Sequence, residues 1–526
     1  MKRLDVVIDK KRKLSIILAA LFLGALAVRW IAILQTPVIA NDAILYINTA
    51  KLYFNGAYHD ALLVCPFSIL PLLISYSYKI VGDWVTAGQL VSSFCGALTV
   101  IPFYLLARRI FDGGVALCSA TFYIVCPGLV QYSAEVLRDI PFIFFYVSAL
   151  WLAYTGIKNE KGLHLGLSSI FAAFSILIRR EGLLLLIIIG LFLLWKVIRG
   201  RVSWQKAAIL LSSFLLSLIC IFMVLGIFTK EMRGLSSLYE RVKEEWKTSS
   251  AEATIKNIER EVDEKNFSPP GRNFFQLAKR YRLSIYLSHI IYKSINVFTV
   301  PIFLLFLFGL IKRKKMGYRG DEFLLLSIWG VFIVAFLFHL NNTNYFATRY
   351  PFSVIVPSLI WSGVGFVEVR ERVVQWIQKK DCRFRDRVIR RMTPLLLLII
   401  CVPLLIAALS PHRRDKLELK EIGVWLQEHG YAHSIIVGQY EFLRLAFYAD
   451  GEFFELSKGS YQEMIKFAKE KEGDLLVVNA ETIDHLSPGF LDKISPRDLQ
   501  RIDISGIQTP KYATMVFVIK SKEGEK

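Results

Sequence analysis

Four groups of residues in this chain have the types and spacing for chemistry on an anionic substrate. The first is Asn41-Asp42-Ala43-Ile44-Leu45-Tyr46, a short polar run between apolar stretches. A carboxylate at a membrane boundary is costly without a role. Within hydrogen-bond reach of a hydroxyl it can take the proton as that hydroxyl attacks. The plainer reading of a single such residue is a helix-capping or solvated Asp. Tyr46 follows one helical turn later and either orients Asp42, lines a site, or anchors the chain at the interface. The second group is Glu135, Arg138 and Asp139, at the end of the run 131–139. Spacings of three and four put them near one face if that turn is helical. The alternative is a salt-bridged helix end, with Asp139 at a helix N-terminus ahead of Pro141.

Arg179 and Arg180, with Glu181 beside them, form the third group. The guanidinium fork suits a phosphate; snorkelling to headgroups plus a pair with Glu181 is the alternative. Arg349 and Tyr350, after Asn341-Asn342-Thr343-Asn344-Tyr345, form the fourth, against the alternative of an interfacial anchor. His289 and Lys293 are further candidates for an anionic headgroup. His59 and Asp60 are two residues, and two do not make a metal site.

The elements that position these groups are membrane spans. The chain has 526 residues, 54% of them hydrophobic, far more apolar than a soluble domain needs. Its apolar runs are continuous, which fits helices of about 20 residues and not an alternating β-barrel. Eleven spans are predicted, at about 14–34, 84–107, 114–130, 140–157, 163–178, 183–197, 206–229, 289–311, 322–340, 351–368 and 393–410. The first is read as a retained span, because its apolar run is long for a signal peptide. The net charge of +20 sits mainly in short clusters between spans, the pattern that sets orientation. It does not indicate nucleic acid. Arg108-Arg109, Lys158/Lys161, Arg199/Arg201, 312–315 and 370–391 all fall on the N-terminal, cytoplasmic side of this scheme. Arg179-Arg180 is the exception, a basic pair on the outer side.

Two outer loops are expected, 35–83 and 230–288. Residues 66–81, interrupted by Pro71, suit a helix lying at the interface. Residues 238–263 are rich in Glu and Lys and read as a solvated helix. The seven cysteines contain no CxxC and give no pairing framework. From residue 411 the composition is that of a soluble domain, placed outside by an odd span count. Its helical patches (418–429, 441–448, 461–472) alternate with strand-like runs (434–438, 453–456, 474–479, 514–519). That alternation predicts a small α/β domain with a largely parallel sheet. The expected organisation is therefore a polytopic α-helical membrane domain, 1–410, and an extracytoplasmic α/β domain, 411–526. No P-loop or GxGxxG signals a nucleotide.

All four groups project from the outer side at one membrane depth in this scheme. A carboxylate base beside cationic groups, reached from lipid and from water, suits transfer from a lipid-linked phosphate donor to an outside acceptor. No soluble energy source exists there, so the activated bond must arrive on the donor.

The residues resemble the GT-C glycosyltransferases of the protein O-mannosyltransferase and aminoarabinose (lipid A) transferase type. The resemblance covers most of the membrane part. It rests on the acidic residue and Tyr of the first outer loop (Asp42, Tyr46) and on Gly56, Pro66, Leu70-Pro71-Leu72 and Gly82. It continues through Val100-Ile101-Pro102, Leu106-Ala107-Arg108-Arg109-Ile110-Phe111 and Glu135-Val136-Leu137-Arg138-Asp139-Ile140-Pro141. The turn Ile178-Arg179-Arg180-Glu181-Gly182 resembles the family's Arg-Pro-Glu-Gly-like turn, with Arg180 where Pro is common. Arg349-Tyr350 followed by Pro357 resembles the late Arg-Tyr segment.

The resemblance implies an inverting transferase in the plasma (inner) membrane. It would take sugar from a polyprenyl- or dolichyl-phosphate carrier and pass it to a lipid, protein or glycan acceptor. Asp42 would be the general base. Arg179, Arg180, Arg349 and Arg138 would hold the lipid phosphate, with Tyr46, Glu135 and Asp139 placing the acceptor or the base. No cofactor is called for. The family often has Asp-Glu in the first loop; Ala43 leaves one carboxylate, which gives weak support to a bound divalent metal. Two other readings compete: a transporter or flippase of lipid-linked sugars, and a non-catalytic GT-C-like subunit. Internal repeats and mid-span polar residues would favour the transporter.

Overall fold

The computed structural model describes residues 2–65, 69–228, 260, 268–312, 320–380, 385–504 and 513–520. Internal packing divides the chain into two units, Met1–Ile33 with Thr49–Ser410, and Leu34–Asn48 with Pro411–Lys526.

The first unit is helical, and the chain is a multi-pass membrane protein. Among the described residues, seven helices are long and apolar enough to cross a membrane: Lys11–Leu34, Trp84–Ile110, Asp139–Asn159, Arg180–Ile198, Trp204–Val224, Phe323–Thr343 and Phe352–Trp376. Two bent pairs raise the number to nine, Gly113–Val125 with Pro127–Ser133 and Arg282–Phe298 with Val300–Lys312. Gly162–Ile178 and Met392–Ala408 are shorter apolar helices at the expected fifth and eleventh positions.

The span expected at about 289–311 is not straight. It bends by 112° at Thr299, whose φ is +65°. Pro301, the next residue but one, has no N–H to continue the ladder of the preceding helix. The bundle packs closely where side chains vanish. A Cβ on Gly309 would overlap the carbonyl of Trp361, and one on Gly365 would overlap that of Leu305. Val300–Lys312 and Phe352–Lys380 therefore meet backbone to backbone, which small residues permit. Within the stretch 66–81 a helix forms at Ile69–Val81 and buries Leu70, Pro71, Ile74 and Ser75. The expected solvated helix at 238–263 falls, except for residue 260, outside the described residues.

The second unit carries a five-stranded sheet in the order β2-β1-β3-β5-β4, with β1 Ile435–Gly438, β2 Glu452–Glu455, β3 Leu475–Asn479, β4 Leu499–Arg501 and β5 Thr514–Ile519. The sheet is mixed, not largely parallel. β1 pairs in parallel with β2 and β3, while β5 runs antiparallel to β3 and β4. Helices Leu417–Leu426 and Leu443–Tyr448 share one core with this sheet through Leu419, Ile422, Leu445, Ile436 and Leu475. The helix Tyr461–Glu470 packs into the other core, with Met464 and Ile465 against Leu476 and Phe517. It is started by a Ser460/Glu463 capping box.

Candidate functional site

In the first unit the structure gathers three of the four groups' residues. Asp139 opens the helix Asp139–Asn159, Arg179 caps the end of Gly162–Ile178, and Arg349 and Tyr350 precede Phe352–Lys380. Arg179 is 7% exposed and Asp139 2%. One terminal nitrogen of Arg179 donates to Asp139 Oδ1. Its other terminal nitrogen donates to Glu181 Oε1 at 2.5 Å and its Nε to Glu181 Oε2 at 3.2 Å. Arg349 Nε lies 3.5 Å from Asp139 Oδ2. The Arg179 guanidinium sits 5.3 Å from the Tyr350 ring centre and 5.8 Å from that of Phe142. Two guanidiniums and two carboxylates thus form one chain, Glu181–Arg179–Asp139–Arg349, with aromatic faces beside it.

The local sequence explains the arrangement. Arg179 is extended (φ −145°, ψ 134°) between two helices, which turns its side chain back toward Asp139. Gly182 allows the tight return, since a Cβ there would meet the backbone of Ser175 and Ile176 within 3 Å. Asn344, left-handed at φ +52°, ends Phe323–Thr343, and Tyr286 Oη donates to its side chain at 2.6 Å. Lys293 Nζ reaches Thr348 Oγ1 at 3.5 Å, so this candidate borders the Arg349 turn.

Two expectations change. The turn carrying Glu135 and Arg138 is not helical; Pro127–Ser133 ends before it and the next helix begins at Asp139. Glu135 and Asp139 are buried while Arg138 is exposed, so the three do not line one helical face. Arg179 is no open phosphate fork here, because three of its N–H directions go to carboxylates. The cavity among Asp139, Arg179, Glu181, Arg349, Tyr350 and Ser353 is about 10 Å³, the scale of one water, and takes neither a phosphate nor a sugar. Arg180 and Arg349 are half-buried neighbours of this core.

Asp42 and Tyr46 belong to the second unit. They are one turn apart at the start of the helix Asn41–Phe54, not in an open loop. Asp42 is half-buried and Tyr46 buried. A carboxylate in a first turn also favours the helix dipole. His59 and Asp60 open a separate short helix, Tyr58–Val64. Among the described residues no three His, Cys, Asp or Glu side chains come together to hold a metal.

Arg29 and Asp321 are two of the buried charges that the sequence reading passed over. Arg29, in the first span, is fully buried. It donates to Ser133 Oγ at 3.1 Å and to the Ala25 carbonyl at 3.2 Å, and lies 5.0 Å from the Tyr123 ring centre. A lone Arg inside an apolar run was the available signal. Asp321 is the second. It pairs with Lys196, with Lys158 at 3.4 Å and with Arg201 at 3.5 Å, and accepts from Tyr154 Oη at 2.8 Å.

Known proteins share the fold that carries these residues. The sequence pattern of the dolichyl-phosphate-mannose-protein mannosyltransferase family matches residues 66–227. No curated protein matches the chain by sequence. Among solved structures, ArnT from Cupriavidus metallidurans in the apo state is similar with a TM-score of 0.61 at 13% identity, covering 95% of this chain and 97% of that one. The same protein bound to undecaprenyl phosphate gives 0.58 at 12% identity, covering 96% and 98%. The oligosaccharyltransferase AglB from Archaeoglobus fulgidus, in complex with an inhibitory peptide and a dolichol-phosphate, gives 0.55 at 13% identity, covering 98% and 77%. The fold is that of the GT-C glycosyltransferase superfamily, with a small sheet domain at the C-terminus.

Proposed function

We propose that the chain is an integral-membrane glycosyltransferase that moves a sugar, with inversion, from a polyprenyl-phosphate-linked donor to an acceptor on the extracytoplasmic face. The observation that carries this reading is the charge-balanced Glu181–Arg179–Asp139–Arg349 chain, built at one end of a GT-C bundle. Arg179 holds the two carboxylates in place. Phosphate contact then falls to Arg349, Arg180 and Arg138, whose side chains are at least partly exposed. Glu135, near Asp139 in sequence, and Tyr46, one turn after Asp42, are both buried and act through packing.

In this scheme the acceptor hydroxyl oxygen attacks the anomeric carbon from the face opposite the carrier. The bond from that carbon to the carrier phosphate oxygen breaks, and Asp42 takes the hydroxyl proton. The departing polyprenyl phosphate carries its new charge against the arginines. The N-terminus is cytoplasmic and the C-terminal unit extracytoplasmic. The solved structures of ArnT with undecaprenyl phosphate and of AglB with a dolichol-phosphate support a lipid-phosphate carrier.

The test uses membranes containing the chain, supplied in turn with radiolabelled undecaprenyl-phosphate-linked hexoses and pentoses. Label should leave one donor for a membrane acceptor. Asp42→Asn should lower that rate by about 10²- to 10⁴-fold while undecaprenyl phosphate binding stays unchanged. Wild-type rates from Asp42→Asn would remove the base assignment.

A further inference from the structure

The segment just before Asp42 is buried backbone without regular structure. Val38, Ile39 and Ala40 are at most 4% exposed, and residues 35–40 lie between two helices. Buried backbone groups in such a stretch need partners. Ile39 finds both of its own in side chains some 400 residues further along the chain. Its N–H donates to Tyr448 Oη at 3.1 Å, and its carbonyl accepts from Arg444 Nε at 2.8 Å. Lys420 Nζ donates to the Pro37 carbonyl at 3.1 Å and lies 5.4 Å from the Tyr448 ring centre. The His412 N–H donates to the Gln35 carbonyl at 3.2 Å.

This grip is specific. Apolar packing of Val38 and Ile39 would fix how deep the segment sits, but not how its peptide planes are turned. Two side-chain bonds to one residue, on its N–H and on its C=O, fix that rotation. Arg444 is itself 8% exposed, and burying a guanidinium is expensive unless its geometry is well satisfied. The grip also reaches Asp42 by a short rigid path. Ala43 N–H bonds to the Ala40 carbonyl at 3.1 Å, closing the first turn of the helix Asn41–Phe54 one residue after Ile39.

We propose that Arg444 and Tyr448 are positioning residues that set the orientation of Asp42 from within the unit that all three share. The proposal rests on the reading of Asp42 as the base. A misplacement of about 1 Å in a reacting group costs on the order of 10²-fold in rate, so a loosened Ile39 should lower turnover and leave donor binding alone.

The experiment uses the full chain in detergent, as wild type, Tyr448→Phe, the double variant Arg444→Met/Tyr448→Phe, Arg444→Lys and Asp42→Asn. Hydrogen exchange is followed in peptides covering 38–46 and, as a folding control, 435–438 and 475–479. Transfer is measured from whichever undecaprenyl-phosphate sugar the wild type uses. The double variant should lose protection at 38–46 and keep it in β1 and β3. Its kcat should fall about 10²-fold with KM for the donor unchanged, and Arg444→Lys should recover most of the rate. Tyr448→Phe, which keeps the ring and removes one oxygen, should show a smaller change of the same kind. Unchanged protection at 38–46 would overturn the proposal, as would lost protection with wild-type kcat while Asp42→Asn is inactive. An active Asp42→Asn would instead remove the base assignment, and the exchange data would still decide whether the grip exists.

Discussion

One helix, Asp139–Asn159, carries a charged cluster at each end, and the two are built on opposite principles. At its start Asp139 joins Arg179, Glu181 and Arg349, two anions with two guanidiniums. Near its end Tyr154 and Lys158 meet Asp321, Lys196 and Arg201, three cations about one carboxylate. Lys158 follows Asp139 by 19 positions, about 28 Å of helix, close to the thickness of a hydrocarbon core. The first cluster uses rigid planar forks with aromatic faces. The second draws two of its three cations from lysine, a flexible point charge. Self-neutral networks of fixed geometry suit a place where a charged ligand comes and goes. A single anion under several cations suits a fastener at a basic membrane boundary, where excess positive charge also sets orientation.

The comparison predicts unequal damage when each hub carboxylate is neutralised. Asp321→Asn leaves Lys196, 5% exposed, without its anionic partner. Breaking a buried pair in this way costs about 3–5 kcal/mol. It should appear as a lower yield of folded protein and a lower melting temperature in detergent. Asp139→Asn keeps the shape, and Arg179 retains Glu181, so the loss of stability should be smaller while transfer falls sharply. Equal destabilisation by the two variants would dissolve the distinction between ligand site and fastener.

The next contrast concerns ligand binding. A hydrogen bond to a charged group is worth roughly 1.5–3 kcal/mol. Arg349→Ala or Arg180→Ala should weaken binding of undecaprenyl phosphate by about 10- to 150-fold, while Arg201→Ala at the opposite end should leave it unchanged. Equal weakening by Arg201→Ala would mean that net charge, and not the site, holds the carrier.

These clusters also show what could be read from sequence. The pair of Arg179 with Glu181 lies two residues apart and was legible as a turn. The link from Arg179 to Asp139 spans 40 positions and that from Lys196 to Asp321 spans 125, so neither leaves a local pattern. Asp321 and Glu322 are both buried, at a span boundary where adjacent carboxylates carry no pattern that marks burial. Spans were legible because about 20 apolar residues leave few alternatives. The 112° bend at Thr299 was not, since a Pro near the centre of an apolar run is compatible with a kinked span. In the C-terminal unit β1, β2, β3 and β5 carry apolar runs, while the edge strand β4, with only three residues, carries no period long enough to read. The attachment of Ile39 to Arg444 spans 405 positions and is invisible to any local rule.

The smallest effect tests whether proximity of charges alone explains the Asp321 end. Lys206 Nζ and Glu160 Oε2 are 2.5 Å apart, but their side chains are 58% and 37% exposed. Water screens such a pair, and exposed pairs are worth about 0–1 kcal/mol. Lys206→Ala should therefore shift the melting temperature barely, and the shift should vanish in 1 M salt, where the screening length is about 3 Å. The loss from Asp321→Asn should survive the same salt, because its partner Lys196 is buried and counterions do not reach it. A salt-sensitive Asp321→Asn would reduce that cluster to surface electrostatics, and the fastener would then have to be the apolar packing of Trp195 on Phe323, whose rings stack at 4.4 Å beside it.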